Sequence, residues 1–413
     1  MIDFEVAHTN RTKSSVLIKV LGIGGAGGNT LNSIVESGCN EIECIAINTD
    51  AQALELSKAK TKIQIGIKST KGLGTGADPL IGRRAAEEDI DKVIEAIGDA
   101  DIVFLTAGMG GGTGSGALPV IVKALKERGV LAVTIVTKPF EFEGKRRAKV
   151  AEDIIKQLES IVDTLIIIPN QRLLALSDPH VAMIDAFGMI NTILSQSVRS
   201  ISDIITRPGH INVDYADVRA IMKDRGIAVM GTGKASGPDR AGMAALQAIS
   251  SPLLENMSIE GAHGVLLNIT GSKTLTLHEL SQAAAIVYQS AHEDANIILG
   301  TVIDESLKDE VMVTIIATGF EQTQNQKEVV TQKEIVVSEL QAAQVVESVH
   351  VQAALKVEHE IAKEMVTKQE QTAVKQMPEK QTIEDKLPFG LSGQDELDIP
   401  TFLRNKHTEN SLN

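Results

Sequence analysis

The segment AGMGGGTGSG at residues 107–116 decides the fold. It follows the apolar run IVFL at 102–105 and precedes ALPVIV at 117–122, which favours a helix. A strand, a glycine turn and a helix start in series direct several backbone N–H groups at one point, where the helix dipole favours an anion. Glycine allows close backbone approach and positive φ. The segment predicts a phosphate-binding loop, although a single glycine cluster is equally typical of a tight turn without a ligand.

A second glycine cluster makes the phosphate-binding interpretation stronger. The predicted strand at 16–21 continues into GIGGAGGN at 22–29, and a predicted helix follows. Gly22, Gly24 and Gly27 fit the GxGxxG pattern in the strand–turn–helix context of nucleotide-binding folds. A third glycine-rich loop, KGLGTGADP at 71–79, precedes a helix predicted over 85–97. The three loops indicate a nucleotide site without specifying the nucleotide.

Strands and helices alternate along the first part of the chain. Apolar runs predict strands at 16–21, 42–47, 102–105, 130–136 and 165–168. Such alternation predicts an α/β fold whose parallel sheet is covered on both faces, with binding sites at the carboxyl ends of the strands. The glycine loops, together with Asn48, Thr137 and Asn170, fall at that edge.

A long helix is predicted next, between the start signal at 178–179, Asp-Pro, and the stop signal at 207–209, Arg-Pro-Gly. Its apolar residues repeat at three- and four-residue steps, and a second stripe widens the face, which suggests burial on two sides. About 24 helical residues span about 36 Å. We interpret this helix as a spine between two domains.

Two acidic residues, Asp214 and Asp217, follow the spine. An N-cap and a first-turn acid would explain them without any function. A second domain then has predicted strands at 226–230, 264–269, 296–303 and 311–318 and a helix at 277–292. The segment GTGKA at 231–235 lacks the full Walker pattern, and we do not interpret it as a phosphate site.

The composition changes at residue 321. Residues 321–394 are rich in Gln, Glu, Lys and Val, which predicts a disordered linker. Apolar residues return in LDIPTFLR at 397–404, and a short apolar motif on a long tether is typical of a partner-docking peptide.

The overall composition argues against several classes of function for this chain. The 413-residue chain carries a formal charge of −14, which disfavours nucleic-acid binding, and only 2% of its residues are aromatic. Its two cysteines lack CxxC spacing and its histidines are scattered, so a reducing cytoplasm is expected and structural zinc is not. Asp3 and Glu5 disrupt any signal sequence, and no apolar run is long enough to insert into a membrane.

Four motifs together resemble the FtsZ family, the bacterial tubulin-like cell-division GTPases. They are GMGGGTGSG at 108–116, GIGGAGGN at 22–29, NTDAQAL at 48–54 and TRPGHINVDYADV at 206–218. The tail motif DIPTFLR, Asp398 to Arg404, resembles the C-terminal peptide of that family. The resemblance implies a tubulin-like α/β fold with a flexible N-terminus (1–14), a GTP-binding domain (15–177), a central helix (178–207), a smaller α+β activation domain (208–320), a disordered linker (321–394) and a partner-binding peptide (395–413).

The resemblance also assigns residues to roles. The nucleotide-contacting positions that it implies are Gly24, Gly25, Ala26, Gly27, Gly28 and Asn29 in the first loop; Gly74, Thr75, Gly76 and Ala77 at the terminal phosphate; Gly110, Gly111, Gly112, Thr113 and Gly114 in the phosphate loop; Glu143 and Arg147 at ribose and phosphate; and Asn170, Phe187 and Asn191 at the guanine. Mg²⁺ would be held largely through water, because no dedicated carboxylate cage is visible. Thr75, Asp78 and Thr192 depart from residues frequent in the family.

For catalysis, the resemblance implies that Asp214 and Asp217 act on the GTP of the next subunit. Because both follow the spine helix, they should lie at the opposite end of the molecule from the phosphate loops. Head-to-tail stacking would then form filaments, and the expected partners are further copies and membrane-anchored division adaptors at mid-cell.

Two alternatives stay open. One is an NAD-dependent oxidoreductase built on Gly22, Gly24 and Gly27, with Glu43 or Asp50 at the ribose. The other is a tubulin-like scaffold that binds GTP without hydrolysing it.

Overall fold

The central sheet begins with six parallel strands in the order β3-β2-β1-β4-β5-β6. Their bounds are β1 Ile18–Ile23, β2 Glu43–Asn48, β3 Thr61–Gln64, β4 Ile102–Gly108, β5 Leu131–Lys138 and β6 Thr164–Pro169. Neighbouring residues of β1 belong to different hydrophobic clusters, Val20 on one face of the sheet and Leu21 on the other. The strands are therefore buried on both sides, which is why they are continuously aliphatic in sequence.

Helices connect these strands. Their bounds are α1 Gly24–Glu36, α2 Ala51–Glu55, α3 Ile67–Thr70, α4 Pro79–Ile97, α5 Thr113–Glu127, α6 Lys145–Glu159 and α7 Asn170–Leu176. Glycines let α4 and α5 pack closely, since a Cβ at Gly116 would lie 2.1 Å from the Pro79 carbonyl oxygen. This close contact fixes the start of α5 beside the third glycine loop.

The structure is a computed structural model and describes residues 16–38, 42–176, 180–207, 209, 211, 213–254 and 259–320. The predictions made for residues 1–14, 321–394 and 395–413 lie outside the described residues. Among the helices in the described ranges, none is both long enough and apolar enough to cross a membrane.

The second part of the chain continues the same sheet. Its strands are β7 Gly226–Ser236, β8 Ala262–Gly271, β9 Asn296–Ile303 and β10 Glu310–Phe320, and its helices are α9 Tyr215–Met222, α10 Arg240–Ile249 and α11 Leu277–Ser290. Strand β7 pairs in parallel with β6 over Gly226 to Ala228, and the order continues β7-β10-β8-β9. The described strands therefore form one ten-stranded sheet, which the sequence analysis did not foresee.

The spine helix, α8, runs from Met183 to Thr206, so it ends where the Arg-Pro-Gly signal predicts but begins later than the start signal at 178–179 predicts. Its burial is uneven along its length. Ile190, Leu194 and Ile201 are buried, whereas Ile184 and Phe187 near its start are exposed. The predicted two-sided burial therefore applies to the later turns, and the first two turns leave apolar side chains uncovered.

The discounted segment at 231–235 lies inside β7. A Cβ at Gly231 or at Gly233 would lie 2.0 Å from a carbonyl oxygen of α10. These glycines therefore allow the helix to approach the strand, and they do not form a phosphate loop.

A buried ion pair joins the elements of the second part. Arg240 Nε lies 2.7 Å from Glu279 Oε1, and the Arg240 guanidinium also donates to the carbonyl oxygens of Asp309 and Thr274. The hydrogen bond from Arg240 lowers the pKa of Glu279 below its ordinary value, although burial opposes that shift. The pair ties α10 to α11 and to the turn before β10.

We expect Glu279→Gln to lower the free energy of unfolding by about 3 kcal/mol, because it leaves the buried guanidinium without its counter-charge. A carboxylate with a lowered folded pKa stabilises above its unfolded pKa of about 4.3, and this contribution is lost as pH falls through the folded value. The free energies of unfolding of the wild type and of Glu279→Gln, measured in urea, should therefore differ at pH 7 and converge below pH 4. Glu305→Gln, which breaks the exposed pair with Lys273, is the control and should cost less than about 1 kcal/mol. Equal losses in the two variants would contradict the prediction.

Candidate functional site

A cavity of 470 Å³ lies at the carboxyl edge of the parallel strands. It is lined by the ends of β1, β4, β5 and β6, the starts of α1 and α5, and one side of α8. The predicted site residues that line it are Gly24, Gly25, Ala26, Asn29, Thr75, Gly111, Gly112, Thr113, Gly114, Glu143, Arg147, Asn170, Phe187 and Asn191. The structure thus brings together residues that are up to 167 positions apart in the sequence, from Gly24 to Asn191.

Two helix N-termini meet at this cavity. Helix α1 starts at Gly24 and α5 starts at Thr113, and neither has a side-chain cap hydrogen bond in the structure. A Cβ at Gly25 or Gly111 would meet nothing within 4 Å. Uncapped N–H groups and open backbone are what a bound phosphate chain requires, because its oxygens accept from the amides and need close approach.

The third glycine loop closes one side of the phosphate end. Thr75 is buried against Gly112, whose Cβ would lie 2.0 Å from Thr75 Oγ1. Ala77 has a left-handed backbone with φ 61°, and Asp78 then caps α4 by accepting from the Leu80 amide at 2.9 Å. A left-handed alanine is strained by about 1 kcal/mol or more, and such strain is common in loops that respond to a ligand.

The other end of the cavity is suited to a flat ring. Asn170 is only 6% exposed, and its Oδ1 has no hydrogen-bond partner among the described residues. Phe187 is 39% exposed and packs edge-on against Phe140, with 5.4 Å between ring centroids. Asn191 accepts from Thr30 through its Oδ1 at 3.4 Å. A buried, unpaired amide oxygen beside an uncovered aromatic ring favours a ligand that has both N–H donors and a stacking face.

Glu143 and Arg147 form an ion pair at the cavity wall. Arg147 Nη1 lies 2.6 Å from Glu143 Oε2, while Glu143 Oε1 accepts from the Phe140 amide at 2.9 Å. The carboxylate therefore fixes the turn between β5 and α6 and leaves the other guanidinium nitrogens available to a ligand.

Six predicted residues do not line the cavity: Gly27, Gly28, Gly74, Gly76, Ala77 and Gly110. Gly27 packs α1 onto the sheet, because its Cβ would lie 2.3 Å from the Thr106 carbonyl oxygen. Gly110 has φ 92°, and its Cβ would lie 2.8 Å from the Arg147 carbonyl oxygen. At both positions the missing Cβ leaves room for another part of the protein, within α1 at Gly27 and in the phosphate loop at Gly110.

Several further residues line the cavity. They are Ile23, Thr30, Ala107, Gly108, Met109, Thr137, Pro139, Ile190 and Leu194. Ala107, Gly108 and Met109 belong to the predicted phosphate loop and Thr137 to the predicted binding edge, although none was given a nucleotide contact; Pro139 could have been added, because it follows a predicted strand. Thr30 and Leu194 carried no such signal, since their placement depends on α1 packing against α8.

Asp214 and Asp217 lie away from this cavity. Asp214 caps α9 by accepting from the Asp217 amide at 2.8 Å, and both side chains are exposed. Tyr215, the next residue, donates to the carbonyl oxygen of Asp101, immediately before β4 begins at Ile102. The cavity borders the other end of β4, at Gly108, so the length of a seven-residue strand, about 20 Å, separates them.

The acids proposed for a dinucleotide site are engaged in other contacts. Glu43 lies at the amino end of β2 and pairs with Lys19 at 2.8 Å. Asp50 caps α2, because its Oδ1 accepts from the Gln52 amide at 2.9 Å. In a dinucleotide fold the ribose acid follows the carboxyl end of β2, so Glu43 does not fit, whereas Asp50 follows that end but has one oxygen committed to the cap.

Within the described ranges, no group of three or more His, Cys, Asp or Glu residues is arranged to hold a metal ion. A cavity with two uncapped helix starts at the end of a parallel sheet, joined by a long helix to a mostly antiparallel second part, defines a nucleotide-binding protein of the tubulin type. Comparison with known proteins makes this more specific.

Two family models match the chain, the GTPase domain of the Tubulin/FtsZ family over residues 17–178 and the C-terminal domain of the FtsZ family over residues 226–321. An empty FtsZ dimer from M. jannaschii is 41% identical, with a TM-score of 0.72, over 75% of this chain and 89% of that one. A point mutant of FtsZ from M. jannaschii is also 41% identical, with a TM-score of 0.71, over 74% of this chain and 92% of that one. The chain belongs to the FtsZ family, and its first domain is a GTPase domain.

A more distant structure supports the fold alone. The GDP-bound monomer of CetZ1 from Haloferax volcanii is 22% identical, with a TM-score of 0.66, over 76% of this chain and 97% of that one. Family membership and the contacts that Glu43 and Asp50 already make argue together against the oxidoreductase alternative.

We expect Phe187→Ala to weaken GTP binding about tenfold, because stacking of a base on an aromatic ring contributes about 1–3 kcal/mol. Phe142→Ala is the matched control. Phe142 stacks on Phe140 with 4.9 Å between centroids and is 67% exposed, but it does not line the cavity. Titration of a fluorescent GTP analogue into dilute protein measures both affinities. If the two variants bind equally well, Phe187 does not contact the base.

Proposed function

We propose that the cavity binds GTP and that the chain assembles head to tail into filaments that hydrolyse it at each subunit contact. The two uncapped helix starts would donate to the phosphates, and Arg147 would add a positive charge beside them. Phe187 would stack on the guanine, and the unpaired Asn170 oxygen would accept from a ring N–H. The open Cβ positions at Gly25 and Gly111 leave room for the phosphate chain. When bound, Mg²⁺ would neutralise phosphate charge through water.

The observation that carries the proposal is the separation of the cavity from the carboxylates of Asp214 and Asp217. They lie at opposite edges of one sheet, so the carboxylates are too far from the cavity of their own chain to act there. Head-to-tail contact would place them at a neighbour's terminal phosphate, where they would orient and polarise the attacking water. Such a contact does not close on itself, so it propagates.

Exposed apolar side chains around the cavity support this contact. Leu73, Leu80, Phe142 and Ile184 project from the loops and helices next to it and are largely uncovered. Ile211 is exposed on the approach to α9 at the opposite edge. Surfaces of this kind are typical of contacts with another protein. CetZ2 from Haloferax volcanii, a protein of similar fold that is 20% identical, was solved as a GTPγS-bound protofilament.

Membership of the FtsZ family supports a proposal about where the filaments act in the cell. We infer that the filaments scaffold the division ring at mid-cell on the inner face of the membrane, in the cytoplasm. Residues Asp398 to Arg404 would bind a membrane-anchored adaptor, which a pull-down with and without residues 395–413 would test.

The decisive experiment measures GTP hydrolysis against protein concentration, with light scattering recorded in parallel. The specific rate should be near zero when the protein is dilute and should rise where scattering begins. A constant specific rate at every dilution would contradict the shared site. Filaments that form without phosphate release would favour the alternative of a non-hydrolysing scaffold.

A further inference from the structure

The first turn of α9 is attached to the amino edge of the sheet by one hydroxyl group. Tyr215 Oη donates to the carbonyl oxygen of Asp101 at 3.0 Å. That oxygen also accepts from the Leu131 amide at 3.2 Å, and the Asp101 carboxylate accepts from the Leu17 amide at 2.9 Å. Asp101 therefore joins the starts of β1, β4 and β5, so the tyrosine is attached to a point where three strands are hydrogen-bonded together.

The hydroxyl is itself held in place from one turn further along the helix. Arg219 Nη1 donates to Tyr215 Oη at 3.1 Å, which leaves the hydroxyl hydrogen to point at Asp101. Residues four apart on a helix lie on the same side, so the arginine and the tyrosine support each other. The tyrosine ring is half-buried and packs against the hydrophobic core.

The two ends of α9 are held differently. At its C-terminal end, Thr318 Oγ1 donates to the Ile221 carbonyl oxygen at 2.7 Å and Thr164 Oγ1 donates to that of Met222. At its N-terminal end, Asp214 and Asp217 are exposed. Among the described hydrogen bonds, that of Tyr215 links this first turn to the sheet, beside the packing of Val213, of the fully buried Val218 and of the tyrosine ring.

We propose that Tyr215 is a positioning residue for GTP hydrolysis, because its hydroxyl fixes the direction in which Asp214 and Asp217 project from the amino edge. This inference rests on the proposed function, in which these carboxylates act on the GTP of the next subunit. Without the hydroxyl, the first turn of α9 would still form, since the Asp214 cap and the ring packing remain. Its tilt would be less restricted, and catalytic carboxylates tolerate little displacement.

The test is Tyr215→Phe in the full chain, which removes one oxygen and keeps the ring. We expect turnover per polymerised subunit to fall five- to tenfold, while GTP affinity, the amount of sedimented polymer and the thermal unfolding midpoint stay at wild-type values. Tyr288→Phe is the matched control and should change none of these. Tyr288 is the chain's only other tyrosine and lies half-exposed on α11.

Two results would overturn the inference. One is unchanged turnover in Tyr215→Phe. The other is a loss of turnover that merely follows a loss of polymer or a lower unfolding midpoint, because the hydroxyl would then be structural. Asp214→Ala is measured in the same series. If Asp214→Ala keeps wild-type turnover, the proposed function fails, whereas a dead Asp214→Ala beside a fully active Tyr215→Phe rejects this inference alone.

Discussion

Asp214→Ala should bind GTP and assemble normally while its turnover falls by a hundredfold or more. A carboxylate that orients and polarises water contributes about 10²–10⁴-fold to such a reaction. The side chain is exposed and lies about 20 Å, the length of β4, from the cavity of its own chain, so its loss should leave nucleotide affinity unchanged. Phosphate release, analogue titration and sedimentation measure the three quantities separately.

The control for this variant must remove a capping carboxylate elsewhere. Asp214 caps α9, and losing a cap costs about 1 kcal/mol of stability by itself. Asp304→Ala removes a capping carboxylate from the 3-10 turn Glu305–Leu307, since Asp304 accepts from the Ser306 amide at 2.9 Å, and it should keep turnover. If turnover in Asp214→Ala stays as high as in Asp304→Ala, Asp214 is only a helix cap. This is the explanation without function that the sequence already allowed.

A mixing experiment tests whether the carboxylate acts on a neighbour. Asp214→Ala subunits keep an intact cavity, whereas subunits with a blocked cavity keep an intact Asp214. In filaments formed from a random equal mixture, about one subunit contact in four should join the intact cavity of one variant to the intact Asp214 of the other, because the contact is heterologous. Turnover should therefore exceed the sum of the separate variants once sedimentation confirms co-assembly. No gain in a co-assembled mixture would contradict action between subunits.

The sheet could be predicted from sequence because its strands are buried on both faces. Uninterrupted aliphatic runs indicated β1, β2, β4, β5 and β6 to within a few residues, and the edge that carries the cavity followed from their parallel order. The strand β3 was missed because its sequence, TKIQ, is short and mostly polar. The helix α10 was missed although it is amphipathic, because its buried face is mostly alanine and glycine and lacks the large aliphatic side chains by which other helices were recognised.

The continuity of the sheet and the roles of single glycines could not be predicted from the sequence. Only three residue pairs join β6 to β7, and no sequence pattern marks a pairing between strands that are 56 residues apart. Gly25 and Gly27 belong to the same motif, yet one lines the cavity and the other packs against Thr106. A glycine pattern records that a Cβ is excluded, and it does not record whether a ligand or the protein itself excludes it.

A matched pair of glycine substitutions within α1 distinguishes a glycine that contacts the ligand from one that does not. Gly25 and Gly28 both lie in this helix, and a Cβ at either would meet no protein atom within 4 Å. Gly25 lines the cavity and Gly28 does not. We expect Gly25→Val to weaken GTP binding at least a hundredfold and to abolish turnover and assembly of the variant by itself, because the new side chain would occupy the space of the phosphates.

Gly28→Val should stay within a few-fold of the wild type in affinity and turnover. Neither variant should lose stability, because both positions are open and valine forms helices at least as well as glycine does. Equilibrium titration of the GTP analogue into dilute monomer, with thermal unfolding of the same samples, separates blocked binding from damaged folding. Because the two substitutions add the same side chain to the same helix, a difference between them reports only what lies in front of each position. Equal loss of binding in both would mean that the phosphates extend along α1 beyond the cavity, and equal tolerance would mean that they do not contact α1 at all.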